Sequence, residues 1–199
     1  SERVYDKEEY GVRPRFLQLQ HCEDVLIEGV TFTNSPTWTV HPVFSRNVTV
    51  RGITIKNAID APNSDGINFE SCKCCVMYDC YVDTGDDAVC IKAGRGRDAW
   101  SWNAPCEDIE ICGVTGLSGI GSVTVGSETS ASINNIYIHD CNFGNRGLGI
   151  NLKTMKGRGG SIKNIDFEDG LKAGTIEYCA DEVMEAFLGE VQKAAVNPG

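Results

Sequence analysis

The sequence predicts an all-β chain wound as a right-handed parallel β-helix, with a C-terminal α-helix. Two observations carry the solenoid: a self-similar unit recurs through most of the 199 residues, and each unit alternates apolar and polar residues in short runs that bend at Gly or Asp. A third carries the helix, because apolar residues near the end recur every fourth position.

The unit reads Val25-Leu26-Ile27-Glu28-Gly29-Val30-Thr31-Phe32, then Val48-Thr49-Val50-Arg51-Gly52-Ile53-Thr54-Ile55, then Cys75-Val76-Met77-Tyr78-Asp79-Cys80-Tyr81-Val82. It returns at Ile109 to Val114, at Ile136 to Cys141 and, more weakly, at Ile165-Asp166-Phe167, so the start-to-start spacings are 23, 27, 34, 27 and 29 residues. Between the units lie second strand-like segments at Phe16 to Leu19, Thr37 to Val43, Gly66 to Phe69, Ala88 to Ile91, Ser122 to Val125 and Leu148 to Leu152. A repeat this short cannot close its own core, so the units are expected to stack as coils around one apolar column.

The pattern changes after Gly170. Val183, Phe187, Val191 and Ala195, with Met184 and Leu188 beside them, predict an amphipathic helix from Ile176 to Val196. Asp181 and Glu182 suit its first turns, Lys193 its last, and Asn197-Pro198-Gly199 its stop. Residues 1–170 therefore read as the coils, and residues 171–199 as a helical tail that covers the open end of the solenoid.

With 41% hydrophobic residues the chain can bury a core, and its length suits one domain. The formal charge of −10 argues against a nucleic-acid partner. No stretch reaches the apolar length of a membrane span, and Ser1 to Asp6 lack the features of a signal peptide. Either a signal has been removed or the chain begins inside a longer protein. Between Cys141 and Ile165 there is no acidic residue, while Arg146, Lys153, Lys156, Arg158 and Lys163 lie there, which predicts a basic wall suited to an anionic ligand. Among the ten cysteines, Cys72-Lys73-Cys74-Cys75 and Cys80 lack paired knuckles and a nearby histidine, so no metal and no cofactor are expected. Cys80, Cys90, Cys112 and Cys141 occupy apolar strand positions and read as small core residues, and disulfide pairing stays open.

Chemistry concentrates in two short clusters, Asn63-Ser64-Asp65-Gly66 and, one repeat later, Gly85-Asp86-Asp87-Ala88. Either alone is an ordinary Asx turn. Together they can place an acid and a base on one bond, as glycoside hydrolysis requires. Neighbouring parallel strands lie about 4.8 Å apart, and both clusters open a second segment, so all three aspartates are expected to line one groove. The next coils bring Gly119-Ile120-Gly121-Ser122 and Asn151-Leu152-Lys153-Thr154 to the same side. His41, held extended before Pro42, reads as a groove-lining or hydrogen-bonded residue. Trp100 and Trp102 lie in a long excursion, where stacking on sugars and packing on the solenoid both remain open.

From Tyr10 to Gly170 the chain resembles the polygalacturonase-like pectin hydrolases of glycoside hydrolase family 28. The resemblance rests on Asn34-Ser35-Pro36-Thr37-Trp38, His41-Pro42-Val43, Asn63-Ser64-Asp65-Gly66, Asp83-Thr84-Gly85-Asp86-Asp87 and Gly157-Arg158-Gly159-Gly160. It implies a pectin-lyase-like solenoid, a pectic polysaccharide or oligogalacturonide as partner, an extracellular or cell-envelope setting, a monomer, no metal, and hydrolysis of α-1,4 galacturonide bonds with inversion. By the same resemblance Asp86 is the general acid, Asp65 and Asp87 hold and activate water, and Lys153 contacts the uronate carboxylate. Asn63, Asn151 and His41 complete the implied substrate-binding set. The family's Gly-His-Gly histidine falls at Ile120 and its Arg-x-Lys arginine at Asn151. A solenoid that binds acidic polysaccharide without cleaving it is the alternative reading, and a calcium-dependent lyase on a similar solenoid a more distant one.

Overall fold

A computed structural model describes residues 13–144, 146–168 and 176–179. Each coil contributes up to three strands in the same order. They are β1 (Leu17–Gln20), β2 (Glu23–Glu28) and β3 (Thr31–Thr33), followed by β4 (Val40–Val43), β5 (Arg46–Arg51) and β6 (Thr54–Lys56). The third coil holds β7 (Ile67–Glu70), β8 (Lys73–Tyr78) and β9 (Tyr81–Thr84). The fourth holds β10 (Val89–Lys92), the short helix α1 (Gly96–Trp102), β11 (Cys106–Cys112) and β12 (Thr115–Ser118). Next come β13 (Gly121–Gly126), β14 (Ile133–His139) and β15 (Asn142–Phe143), then β16 (Leu148–Lys153), β17 (Ile162–Phe167) and β18 (Ile176–Cys179).

Each strand pairs with its counterpart in the next coil, all in parallel, which builds three sheets of seven, six and five strands along one axis. The first sheet starts with β1, the second with β2 and the third with β3. The pairing Val25↔Val48, Thr49↔Val76, Cys75↔Ile109, Ile109↔Ile136 and Ile136↔Ile165 reproduces the repeat spacings read from the sequence.

One corner device repeats. Gly29, Gly52, Asp79, Gly113 and Asp140, which follow the second-sheet strands, all adopt positive φ, where a single left-handed residue turns the chain toward the third sheet. A second device stands inside the second sheet: Asp24, Asn47, Cys74, Asp108, Asn135 and Asn164 are also left-handed and stack coil on coil. Their side chains bond along the axis, with Asn135 Nδ2 donating to Asp108 Oδ1 at 2.9 Å and Asn164 Nδ2 to Asn135 Oδ1 at 2.9 Å. Asp and Asn tolerate this conformation better than other non-glycine residues, which explains why an acid or amide recurs there.

Inward-facing residues form rows through the column. Ile27, Val50, Met77, Ile111 and Ile138 stack in the second sheet, and Val40, Ile67, Val89, Val123 and Ile150 in the first. Cys80 and Cys141 are buried in this core as expected. Cys112 is half-buried on the outer side, and Cys90 faces polar groups, so neither is the core residue that its apolar neighbourhood predicts. Nine described cysteines are free thiols.

The C-terminal helix is not where its pattern begins. Ile176–Cys179 form β18, paired with β16, so the first residues of the expected helix extend the first sheet. Ile-Glu-Tyr-Cys alternates as a strand does, and a waiting sheet edge offers hydrogen bonds that an isolated helical turn cannot match. The rest of the expected helix and tail lies outside the described residues.

The stacked rows make a directional prediction. Ile111→Ala, in the middle of its row, is expected to cost about 2 to 5 kcal/mol, whereas Thr49→Ala on the outer face of β5 is expected to change stability by about 0.5 kcal/mol or less. Urea unfolding midpoints of the two variants check it.

Candidate active site

The corners between the third and first sheets carry the two aspartate clusters. Their stacking is fixed by the backbone: Gly66 N–H donates to Asp87 O at 3.0 Å, Ile67 N–H to Ala88 O at 3.0 Å, and Ala88 N–H to Gly121 O at 2.9 Å. Asp65, Asp87 and Gly121 therefore succeed one another along the axis. The fit is tight, since a Cβ on Gly66 would lie 2.4 Å from Ala88 O. Buried hydroxyls brace the corners: Ser64 Oγ meets Thr84 Oγ1 at 3.0 Å, and Ser118 Oγ donates to the Asp86 carbonyl at 2.7 Å. Asn57 Nδ2 ties them to the groove strand by donating to Thr39 Oγ1 at 2.8 Å and to Ser64 O at 2.9 Å.

The three carboxyl groups have different surroundings. Asp86 bridges two corners, its Oδ2 accepting from Asn63 N–H of the preceding coil at 3.1 Å and its Oδ1 from Asp87 N–H at 2.9 Å. Asp87 Oδ1 accepts from Thr124 Oγ1 at 2.7 Å, and its Oδ2 lies 3.6 Å from Lys153 Nζ. Gly121 keeps this space open, because a Cβ there would sit 2.4 Å from Thr124 Oγ1 and 3.0 Å from Asp87 Oδ1. Cys90 Sγ lies 3.4 Å from both Asp65 Oδ2 and Asp87 Oδ2, and donor atoms of these three residues all lie within 4.8 Å of one another. Such a set is the right size to hold a water molecule or a cation. Lys153 and the Lys92 ammonium already supply positive charge beside it.

Asp65 is the electrostatic outlier. Burial first, then the charge on Asp86 and, less strongly, on Asp87, raise its pKa to about 7 against the pull of Lys92. Its Oδ1 is buried with no hydrogen-bond partner. Burial pulls the Lys92 pKa down, but Cys90, Glu128 and Asp65 outweigh that and raise it, so Lys92 stays charged. Lys92 Nζ donates to Glu128 Oε2 at 2.8 Å and to Gly126 O at 3.2 Å, and it stands 5.1 Å from the centre of the Trp38 ring.

Asn68, Cys90, Thr124 and Asn151 form one row across the first sheet. Asn68 Nδ2 and Oδ1 and Asn151 Oδ1 are buried without protein partners, as Asp65 Oδ1 is. Unpaired buried amides are costly, and here they gather in one row beside three carboxyl groups.

Six of the seven residues singled out from the sequence thus come together: Asp65, Asp86, Asp87, Asn63, Asn151 and Lys153. His41 lies one coil before Asn68 in the same row of the first sheet. Its Nε2 meets Glu70 Oε2 at 2.8 Å and its ring packs edge-on to Trp38, so it is a hydrogen-bonded residue. The basic wall is not one surface. Arg146 pairs with Asp83 and with Leu117 O on the third-sheet side, Lys163 lies in β17 of the second sheet, and Arg158 is buried, its carbonyl accepting from Trp100 Nε1 at 3.2 Å. Lys153 alone of the five contacts an aspartate of the site. The excursion packs on the solenoid through Trp100 and through Trp102, which meets Phe44 edge-on at 5.3 Å, while both rings stay about half exposed. Cys90, Thr124, Asn68 and Lys92 were not legible as site residues, although each is the second or fourth residue of a strand that follows a corner.

The model for glycosyl hydrolases family 28 matches residues 3–176. The chain belongs to this family. A probable polygalacturonase of Vitis vinifera is 39% identical over 167 residues, covering 83% of this chain and 34% of the relative. A solved structure of a hyperthermoactive exopolygalacturonase from Thermotoga maritima superposes with a TM-score of 0.78 at 38% identity, over 88% of this chain and 40% of that one. A family 28 exopolygalacturonase from Yersinia enterocolitica, at 24% identity and a TM-score of 0.75 over 88% of this chain and 32% of that one, shares the fold. The chain thus spans about a third of the length of the curated relatives it matches. All these matches agree with the right-handed solenoid.

The state of Asp65 has a consequence for stability. With its pKa raised from 3.8 to about 7, the folded chain holds a proton that the unfolded chain releases. Stability from this group is therefore present at acidic pH and falls as pH rises through that window, by about 1.4 kcal/mol per pH unit. Asp65→Asn is expected to raise the melting temperature above wild type at about pH 8, and to leave little difference at about pH 4. Thermal unfolding at the two pH values checks this.

Proposed function

We propose that the chain is the central part of a pectic glycoside hydrolase that cleaves α-1,4 galacturonide or related bonds with inversion. The observation that carries this reading is the placement of three aspartates on adjacent coils, with Asp86 bonded across to the preceding corner at Asn63 and Asp65 and Asp87 paired around Cys90.

In this mechanism the Asp86 carboxyl gives its proton to the glycosidic oxygen as the bond to the anomeric carbon breaks. Asp65 and Asp87 hold a water between their oxygens and take its proton as it attacks the opposite face, so one water is consumed and the configuration inverts. Lys153 faces the uronate carboxylate, which lowers the repulsion a polyanion meets near three acids. Asn63, Asn151 and His41 join Lys153 in the substrate-binding set. Pectic material lies outside cells, which places the protein in an extracellular or cell-envelope setting with a role in cell-wall breakdown.

One observation favours the second reading, binding without cleavage. Ile120, where the family carries histidine, is 44% exposed beside the acids and offers only a backbone N–H, which Ser118 Oγ engages at 2.9 Å.

Incubation with a panel of pectic oligosaccharides is expected to release reducing ends of inverted configuration, and Asp86→Asn to reduce release by at least about a thousandfold. Binding with no product over long incubation would establish the second reading. The pH profile tests whether the cluster works as a unit. Burial and like charge leave the three carboxyl groups one proton that is lost near pH 7, and the reaction needs that proton on Asp86 with Asp65 ionised, so kcat/KM is expected to fall as pH rises through about 7. A profile that stays flat through that pH would show that the acid lies outside the cluster.

A further inference from the structure

A second cluster of reactive side chains stands on the outer face of the second sheet, away from the groove. Glu110 and Cys112 are two residues apart on β11 and so share one face. His139 on β14 is the register partner of Cys112 in the next coil. The Cys112 thiol, a ring nitrogen of His139 and a carboxylate oxygen of Glu110 all lie within 4.8 Å of one another. Each is partly open to solvent.

The histidine is oriented as a ligand would be. Its Nδ1 meets Asp140 Oδ2 at 2.7 Å and its Nε2 meets Glu110 Oε1 at 3.1 Å, and these bonds, the one to Asp140 foremost, raise its pKa above the ordinary imidazole value. A carboxylate holding the remote ring nitrogen is the outer-shell arrangement that fixes metal-binding histidines. The Tyr137 ring, stacked at 4.3 Å and 26°, holds the imidazole plane, and its hydroxyl is tied to Glu168 Oε2 at 2.7 Å. In the metal-free chain a proton on Nε2 bridges Nε2 and Glu110 Oε1, and a metal ion beside the thiol would take its place.

We propose that Glu110, Cys112 and His139 form a binding site for a zinc-class divalent metal ion that bridges coils four and five. The donor set selects the metal. A thiolate with an imidazole and one carboxylate suits zinc and its borderline neighbours, and is a poor set for calcium or magnesium. Three protein ligands leave one position of a tetrahedral shell to water. Binding displaces the thiol proton of Cys112 and the Nε2 proton of His139 to solvent and leaves Glu110 ionised. Because the ligands come from two coils, the ion would pin β11 to β14 and stabilise the stack. Cys112 and His139 are 27 residues apart, so the site is absent from any local spacing pattern.

The test uses the full chain, reduced, with Zn²⁺ and Co²⁺ as probes. Zn²⁺ titration by calorimetry is expected to give one saturable site, with a rise in melting temperature on addition of the ion. Co²⁺ is expected to give a near-ultraviolet thiolate-to-metal band. Cys112→Ser and His139→Ala should abolish the saturable site and the band, and Asp140→Ala should weaken binding about tenfold. Cys74→Ser, at an exposed thiol of the same sheet, should change nothing. All four positions are on the outer face, and circular dichroism verifies that each variant is folded. Zn²⁺ binding unchanged in both Cys112→Ser and His139→Ala, or lost in Cys74→Ser, would overturn the proposal.

Discussion

Backbone hydrogen bonds between matching residues of successive coils hold this molecule in one register, and everything at the groove depends on that register. A strand that slips by one residue exchanges its inward and outward faces. Here such a slip would push Val89 and Ile91 outward and turn Cys90 into the column. It would also unstack Asp65 from Asp87, whose corners are joined by the bond from Gly66 N–H to Asp87 O. The register is guarded twice in the second sheet, by the inward row from Ile27 to Ile138 and by the left-handed Asp and Asn residues that bond along the axis. Neither device lies near the carboxyl groups. Both set where they stand.

The groove shows the cost of that placement. A solenoid can satisfy its backbone almost completely through coil-to-coil bonds, yet the row behind the aspartates leaves Asp65 Oδ1, Asn68 and Asn151 Oδ1 buried without partners. Each works against stability. Lys92 offsets part of the cost by bringing a charge to Asp65 from the same sheet, itself held by Glu128 and the face of Trp38. The resulting polarity is concentrated on one strip of one sheet.

Much of the fold was legible in the sequence, because a solenoid writes its period directly. Strand starts at Val25, Val48, Cys75, Ile109, Ile136 and Ile165 are register partners or one step from them, and the Gly or Asp that closes each unit is the left-handed corner. The aspartates were legible for the same reason: each cluster opens a strand of the same sheet. Side-chain direction was less so. In Ala88-Val89-Cys90-Ile91 all four residues are buried, as parallel strands covered on both faces often are, so nothing marked Cys90 as a partner of two carboxyl groups. The basic run from Arg146 to Lys163 looked continuous, but the chain passes from one sheet to another within it. Ile176-Glu177-Tyr178-Cys179 fits a helix and a strand equally well, and the free edge of β16 decided between them.

The central claim is that coil stacking buries Asp65 among like charges and leaves it a proton that an ordinary aspartate would lose. Carbon-13 NMR of aspartate side-chain carboxyl groups, followed through a pH titration of the ligand-free chain, measures this directly. One carboxyl resonance should titrate near pH 7 and vanish in Asp65→Asn. Titration of every aspartate in the ordinary range, below about pH 5, would contradict the account.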